Sequence, residues 1–174
     1  MKFDIMPVVT EKQLKEIADS AQSIWKDYLC ALFSEEKAKY LLNQLQSKEV
    51  IYKKMKKPGY NYTTLLVDDM PVGLLAFAFV NHAICIDTLY LNKEARHKGV
   101  VYKVLNYLDD FCHYKEGNCD FKRILAYIPL KDLQTITLFE HLGFSKIGRY
   151  EYAFRSSFGM ECCVMERIPD AKKV

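Results

Sequence analysis

A short basic segment, Arg96-His97-Lys98-Gly99, lies between an apolar run that ends near Leu91 and a helical pattern that begins near Gly99. Free N–H groups at a helix N-terminus attract anions, and the helix dipole adds to that attraction. Gly99 lets the backbone turn tightly, while Arg96 and Lys98 add positive charge. We therefore predict an anion site of the kind that holds a phosphate. The alternative for these residue types is an ordinary helix start with solvated basic side chains.

One carboxylate interrupts the apolar run from His82 to Leu91, and it belongs to Asp87. A carboxylate inside an apolar strand is suited to removing a proton, so Asp87 is our candidate for a general base. Strand alternation predicts that Asp87, Leu89 and Leu91 share one face of a sheet. A hydrogen-bonded structural role is the alternative for Asp87. His82, at the start of the strand, is the weaker candidate.

The hydrophobic pattern predicts two helices, three strands, a helix, a strand, a helix and two strands, in that order. Thr10–Gln13 has the form of a capping box, and Ser34 has that of a second N-cap. Residues 68–71 predict one hairpin turn, and residues 156–159 predict another. Hairpins then flank a parallel, right-handed strand–helix–strand unit. The expected fold is α/β (α+β), with a mixed sheet and helices on both faces.

Composition narrows the possible function classes. The chain has 174 residues, of which 50% are hydrophobic, and a formal net charge of +3. These values suit a single domain over residues 1–174, and the charge is too balanced to indicate nucleic acid or a membrane as partner. The lysine-rich stretch "KKMKKPGYNY", residues 53–62, is predicted to be a solvated loop.

The cysteines and the apolar runs predict a protein of the cytoplasm without a metal. None of the six cysteines forms a Cys-x-x-Cys pair, and the group Cys112, His113 and Cys119 lacks a fourth ligand at a suitable spacing. The first residues lack the apolar core of a signal peptide. No apolar run reaches the roughly 20 residues that span a bilayer.

Two separated segments resemble motifs of the GNAT superfamily of acyltransferases. "IDTLYLNKEARHKGVVYKVLNYL" is similar to the acetyl-CoA-binding segment, in which a strand ending aliphatic–x–aliphatic precedes Arg/Gln-x-x-Gly-x-Gly/Ala. Leu89 and Leu91 match the strand end, Arg96 follows Leu91 by five residues, and Gly99 is the first motif glycine. "DLQTITLFEHLGF" resembles Asn-x-x-Ala-x-x-Leu-Tyr-x-x-Leu-Gly-Phe. The directly matching residues there are Leu138, Leu142, Gly143 and Phe144.

The resemblance covers nearly the whole chain and implies both a fold and an activity. The implied sheet has six to seven mostly antiparallel strands, with a central pair that splays apart. The implied activity moves an acetyl group from acetyl-CoA to an amine by direct attack in a ternary complex, without a metal. The pyrophosphate would lie on the N–H groups from His97 to Tyr102. The cofactor-binding candidates are Leu89, Tyr90, Leu91, Arg96, His97, Lys98, Gly99, Val100, Val101, Tyr102, Asp132 and Phe139.

Three residues depart from the family pattern. Val101 replaces the second Gly or Ala, and Asp132 replaces the Asn, where a plain N-cap is the main alternative. Phe139 replaces the Tyr that often protonates the CoA thiolate, and Tyr150 and Tyr152 are the possible substitutes. The acceptor is left open among a small amine, a polyamine, an amino acid and a peptide, as is a homodimer. The rival function is a non-catalytic GNAT-fold module that binds CoA or a protein partner.

Overall fold

The computed structural model describes residues 2–113, 121–154 and 158–169, and the structural statements below concern these residues. They form one sheet with helices packed on it. The strands are β1 (Phe3–Pro7), β2 (Tyr60–Val67), β3 (Met70–Val80), β4 (Ala83–Leu91), β5 (Arg123–Pro129), β6 (Ser145–Tyr152) and β7 (Met160–Arg167). The helices are α1 (Glu11–Leu32), α2 (Glu35–Gln46), α3 (Lys48–Met55), α4 (Val100–His113) and α5 (Leu133–His141).

The sheet has seven strands in the order β1-β2-β3-β4-β5-β7-β6. The β4–β5 pair is parallel and each other neighbouring pair is antiparallel. This confirms the predicted mixed, mostly antiparallel sheet. The turn between β2 and β3 is the predicted hairpin, with Asp68 and Asp69 both at positive φ. The other turn was predicted at residues 156–159, of which residues 156 and 157 lie outside the described residues.

The structure contains two elements, β1 and α3, that the sequence pattern did not predict. The edge strand β1 pairs with β2, and its apolar residues were too few to stand out beside α1. Helix α3 begins after Ser47, whose side chain accepts a hydrogen bond from the Val50 N–H, and Lys53 and Lys54 lie in its last turn. The prediction of a solvated loop at residues 53–62 was therefore right only for residues 56–59, which form an exposed turn. The first residues of this stretch are the end of α3, and its last residues are the start of β2.

The two faces of the sheet carry separate hydrophobic cores. On one face, Val104 and Leu108 of α4 and Ile136 of α5 pack against Leu75 and other strand residues. On the opposite face, helices α1, α2 and α3 cover the intervening strand positions in two smaller clusters. Because side chains alternate along a strand, neighbouring residues of β3 contribute to different cores. The predicted arrangement of helices on both faces is confirmed.

Strands β4 and β5 pair only over part of their length, as the resemblance implied. Their register joins Ala83–Ile86 to Arg123–Ala126. Strand β4 continues to Leu91 and β5 continues to Pro129, but the two are not paired there. An opening therefore forms in the middle of the sheet, directly after Ile86, and Asp87 is the next residue.

Candidate active site

The basic segment lies on a tight connection between the splayed end of β4 and the start of α4. The Asn92 side chain accepts a hydrogen bond from the Ala95 N–H at 2.9 Å and so starts a short 3₁₀ turn. His97 and Gly99 then take positive φ values of 66° and 71°. These left-handed residues reverse the chain so that α4 begins immediately at Val100. The glycine fits a backbone conformation that an L side chain rarely adopts.

The first turn of α4 presents unpaired backbone donors beside positive side chains. The first helical hydrogen bond runs from the Lys103 N–H to the Gly99 carbonyl, so the N–H groups of Val100, Val101 and Tyr102 precede it. Arg96 Nε donates to the Leu91 carbonyl at 3.1 Å, which ties its guanidinium to the end of β4. The arrangement has the donors and the positive field that an anion requires.

The valine that departs from the family pattern faces the protein interior. Val100 is buried, and Val101 is half-buried and packs against the core beneath α4. Tyr102 is exposed. The side chain of Val101 is therefore directed toward packing, while its backbone N–H stays available in the first turn.

Asp132 is the N-cap of α5, the alternative that its sequence position had left open. Its carboxylate accepts hydrogen bonds from the Thr135 N–H at 3.0 Å and from the Tyr28 hydroxyl at 2.7 Å. Burial and the negative charge of Asp132 raise the pKa of Tyr28. The carboxylate thus joins α1, on one face of the sheet, to the helix that follows β5.

The three aromatic residues considered for proton transfer have different surroundings. Phe139 is buried, and its ring packs against Phe144 with centroids 4.8 Å apart. Tyr150 is about half exposed and contacts Tyr152 edge to face. Burial, and then the charge of Asp87, raise the pKa of Tyr152. The Tyr152 hydroxyl therefore holds its proton more tightly than usual.

Asp87 lies at a β-bulge, and this changes the face on which it projects. The register pairs Thr88 with Ala76 and Ile86 with Phe77, so Asp87 is the extra residue. Leu89 and Leu91 pack with the core beneath α4. Asp87 instead contacts Lys54 of α3, on the opposite face. The prediction that Asp87, Leu89 and Leu91 share one face was wrong, because the bulge resets the alternation.

The Asp87 carboxylate forms an ion pair with Lys54. Lys54 Nζ donates to the two carboxylate oxygens at 3.0 and 2.9 Å, and also to the Leu45 carbonyl at 3.4 Å. The side chains of Lys54 and Asp87 are only 16% and 22% exposed. The Thr88 hydroxyl donates to Asp87 at 3.3 Å and accepts from the Gln46 amide at 3.1 Å. A partly shielded polar network therefore lies at the start of the opening.

Three buried polar atoms beside this network have no hydrogen-bond partner of good geometry among the described residues. They are Gln46 Oε1 and the hydroxyls of Tyr60 and Tyr62. The two tyrosine rings stack with centroids 5.5 Å apart. Burial and the charge of Asp87 raise the pKa of both tyrosines, which keeps their hydroxyls protonated. Because an unmet buried polar group is costly, these atoms mark a place suited to a polar ligand.

Lys54, Gln46, Tyr60 and Tyr62 were missed as site residues. The available signal was the helical pattern of α3, with its Ser47 cap, which turns Lys54 toward the sheet. Nothing in the sequence pairs residues from α2, α3, β2 and β4. Within the described ranges, no cluster of three or more His, Cys, Asp or Glu side chains is arranged to bind a metal ion. Nor does any helix in those ranges have the length and apolar character to cross a membrane.

A model of the acetyltransferase (GNAT) family matches residues 19–144. That range is most of the chain, so the protein belongs to the GNAT acetyltransferase family, as the two motifs had indicated. The search of curated proteins finds no match.

Solved structures share the fold at low sequence identity. The PaiA N-acetyltransferase from Thermoplasma acidophilum, solved with coenzyme A, is 17% identical, with a TM-score of 0.71 over 97% of this chain and 99% of that chain. A GNAT acetyltransferase from Staphylococcus aureus is 14% identical, with a TM-score of 0.68 over 97% and 100% of the two chains. A chimera of the spermidine N-acetyltransferase SpeG from Vibrio cholerae and hSSAT is 14% identical, with a TM-score of 0.64 over 97% of this chain and 96% of that chain.

Proposed function

We propose that this chain, as one domain over residues 1–174, transfers the acetyl group of acetyl-CoA to a primary amine by direct attack in a ternary complex. The observation that carries the proposal is the opening between β4 and β5, which has an anion-binding loop at one end and the Asp87 carboxylate at the other. The relatives named for coenzyme A and for spermidine support the two substrate classes. A cytoplasmic location stays a prediction.

The cofactor side is built for a pyrophosphate. The N–H groups at the start of α4 precede the first helical hydrogen bond, and Arg96 and Lys98 add positive charge. From Leu89 to Leu91, β4 is paired with β3 but not with β5, so its edge toward β5 would offer backbone groups to the amides of the pantetheine arm. One of these N–H groups would polarise the acetyl carbonyl as charge develops on its oxygen.

The acceptor side supplies the base. Asp87 would take a proton from the attacking ammonium, and the amine nitrogen would then add to the acetyl carbon as the carbon–sulfur bond breaks. Phe139 cannot protonate the departing thiolate. Thiols have a pKa of about 8.5, so the thiolate can leave and take its proton from water. Missing acid help costs about 10²–10⁴-fold, which slows such a reaction without preventing it.

Calorimetry with acetyl-CoA, followed by thiol-release assays over a panel of amines, tests the proposal. The panel should include a monoamine, a polyamine, an amino acid amide and a peptide. Acetyl-CoA binding with turnover of at least one amine is the expected result. Tight binding without turnover of any amine would favour the CoA-binding module instead. Failure to bind acetyl-CoA would exclude both.

A further inference from the structure

The proposed base already holds a primary amine, and that amine belongs to the protein. Lys54 Nζ lies 2.9 and 3.0 Å from the two oxygens of Asp87, at the start of the β4–β5 opening. This is the position that an acceptor ammonium needs. We propose that the protein transfers an acetyl group from acetyl-CoA to its own Lys54. The inference rests on the proposed function, because it uses the same base and the same acetyl donor.

The unmatched polar atoms around Lys54 fit the product of this transfer. An acetylated lysine carries an amide with one N–H donor and one carbonyl that accepts two hydrogen bonds. The buried atoms without a hydrogen bond of good geometry are one acceptor, Gln46 Oε1, and the hydroxyls of Tyr60 and Tyr62. The two hydroxyls interact with each other, and both feel the negative charge of Asp87. The ammonium of Lys54 already lies over the ring of Tyr60, 5.8 Å from its centroid. Once the charge of Lys54 is removed, these hydroxyls could turn to the carbonyl of a neutral acetamide, and Gln46 Oε1 is an acceptor for its N–H.

The transfer needs no further reactant. Asp87 takes one proton from the Lys54 ammonium, and the neutral nitrogen attacks the acetyl carbon of acetyl-CoA. A carbon–nitrogen bond forms while the carbon–sulfur bond breaks, and CoA leaves as a thiolate. The nitrogen loses its second extra proton, Asp87 releases the proton it holds, and the thiolate is protonated. The step is favoured because the fold already holds the amine beside the base, so the two groups do not have to meet by diffusion.

Acetylation would also change the site. The neutral amide no longer forms an ion pair, so Asp87 loses the partner that shields it. The carboxylate then becomes free to bind an external ammonium. The first turnover would therefore release the base for later turnovers on the external acceptor.

The experiment is incubation of the purified protein with acetyl-CoA, followed by mass spectrometry of the intact chain and of its peptides. Lys53 and Lys57 are exposed neighbours that report chemical acetylation. Because Lys54 is shielded and ion-paired, uncatalysed acetylation should modify it more slowly than Lys53 or Lys57. We expect the opposite order, with Lys54 modified at least about tenfold faster than either neighbour. Asp87→Asn should remove that preference, and excess CoA should slow the modification of Lys54 alone.

The outcomes separate this inference from the proposed function. If acetyl-CoA binds and an amine is turned over while Lys54 is modified no faster than Lys53, self-acetylation is excluded and the acyltransferase remains. If acetyl-CoA does not bind, both are excluded. Lys54→Arg keeps the positive charge and should lose the modification. Its thermal stability and CoA affinity, measured beside those of Lys53→Arg, show whether the variant is folded.

Discussion

The two ends of the β4–β5 opening are built in different ways. On the cofactor side, one continuous segment, from Leu89 to Tyr102, supplies a strand end, a left-handed turn and a helix start. On the acceptor side, Asp87 contacts Lys54 of α3, and its neighbour Thr88 contacts Gln46 of α2. The charge of Asp87 also raises the pKa of Tyr60 and Tyr62 of β2, so this side brings together residues that are far apart in sequence. The first is mostly backbone in a fixed conformation, and the second is a set of side chains. Binding at the cofactor side should therefore tolerate side-chain changes that leave the backbone conformation and the local charge intact, whereas the acceptor side should not tolerate changes of its polar side chains.

Asp87→Asn tests the acceptor side and should have the largest effect. Removing the base should lower kcat by about 10²–10⁴-fold, because the amine then loses its proton only to water. The affinity for CoA should change little, since the N–H groups of the loop are untouched. Asp19→Asn is the matched control. Asp19 also pairs with a lysine of α3, Lys48, but this ion pair is exposed and lies outside the proposed site. An unchanged kcat for Asp87→Asn would remove Asp87 from the mechanism.

Gly99→Asp tests the cofactor side and should weaken CoA binding by about 100-fold, because strain in a left-handed backbone and a like charge at the helix N-terminus add up. A Cβ at this position meets no atom within 4 Å, so the effect comes from the positive φ and from the new negative charge. Gly99→Ala separates these causes, because it keeps the backbone penalty of about 1 kcal/mol without the charge. Gly148→Asp, at an open position on β6, controls for the charge itself. Calorimetry should show a much weaker affinity for CoA in Gly99→Asp than in either control variant.

Alkaline unfolding should reveal the buried tyrosines of the acceptor side. Burial and Asp87 raise the pKa of Tyr60 and Tyr62 in the folded chain, so the folded state holds these protons more tightly than the unfolded state. The free energy of unfolding should therefore fall as the pH rises above about 10, where tyrosines of the unfolded chain lose their protons. The expected slope is roughly 1.4 kcal/mol per pH unit for each such tyrosine. Urea unfolding at pH 8 to 11 measures this loss.

Tyr62→Phe provides the control for the alkaline loss. The variant removes one of the titrating hydroxyls, so its slope with pH should be shallower. It also removes a buried hydroxyl that has no partner among the described residues, so its stability at pH 8 should equal or exceed that of the parent. Equal slopes for the two proteins would show that Tyr62 does not titrate in this range.

The sequence was most informative where function depends on neighbours in the chain. The spacing from Leu91 to Gly99 predicted the loop, and the apolar pattern after Gly99 predicted α4. The face of Asp87 was predicted wrongly, because a bulge is one extra residue and leaves no mark in the alternation. Lys54 was missed for a related reason. A lysine in a run of lysines looks solvated until the end of its helix is placed beside a particular strand.

Val101→Gly should have the smallest effect on binding and the clearest effect on folding. The backbone N–H remains, so CoA affinity should stay within about threefold of the parent or become tighter as the turn fits the phosphate more closely. The half-buried side chain is lost from the core, and glycine adds a helix penalty of about 1 kcal/mol, so the free energy of unfolding should fall by about 1–3 kcal/mol. Val101→Ala keeps helix propensity and separates the two costs. If Val101→Gly abolished CoA binding while the protein stayed folded, the side chain would have to contact the cofactor, and a cofactor side made of backbone would be wrong.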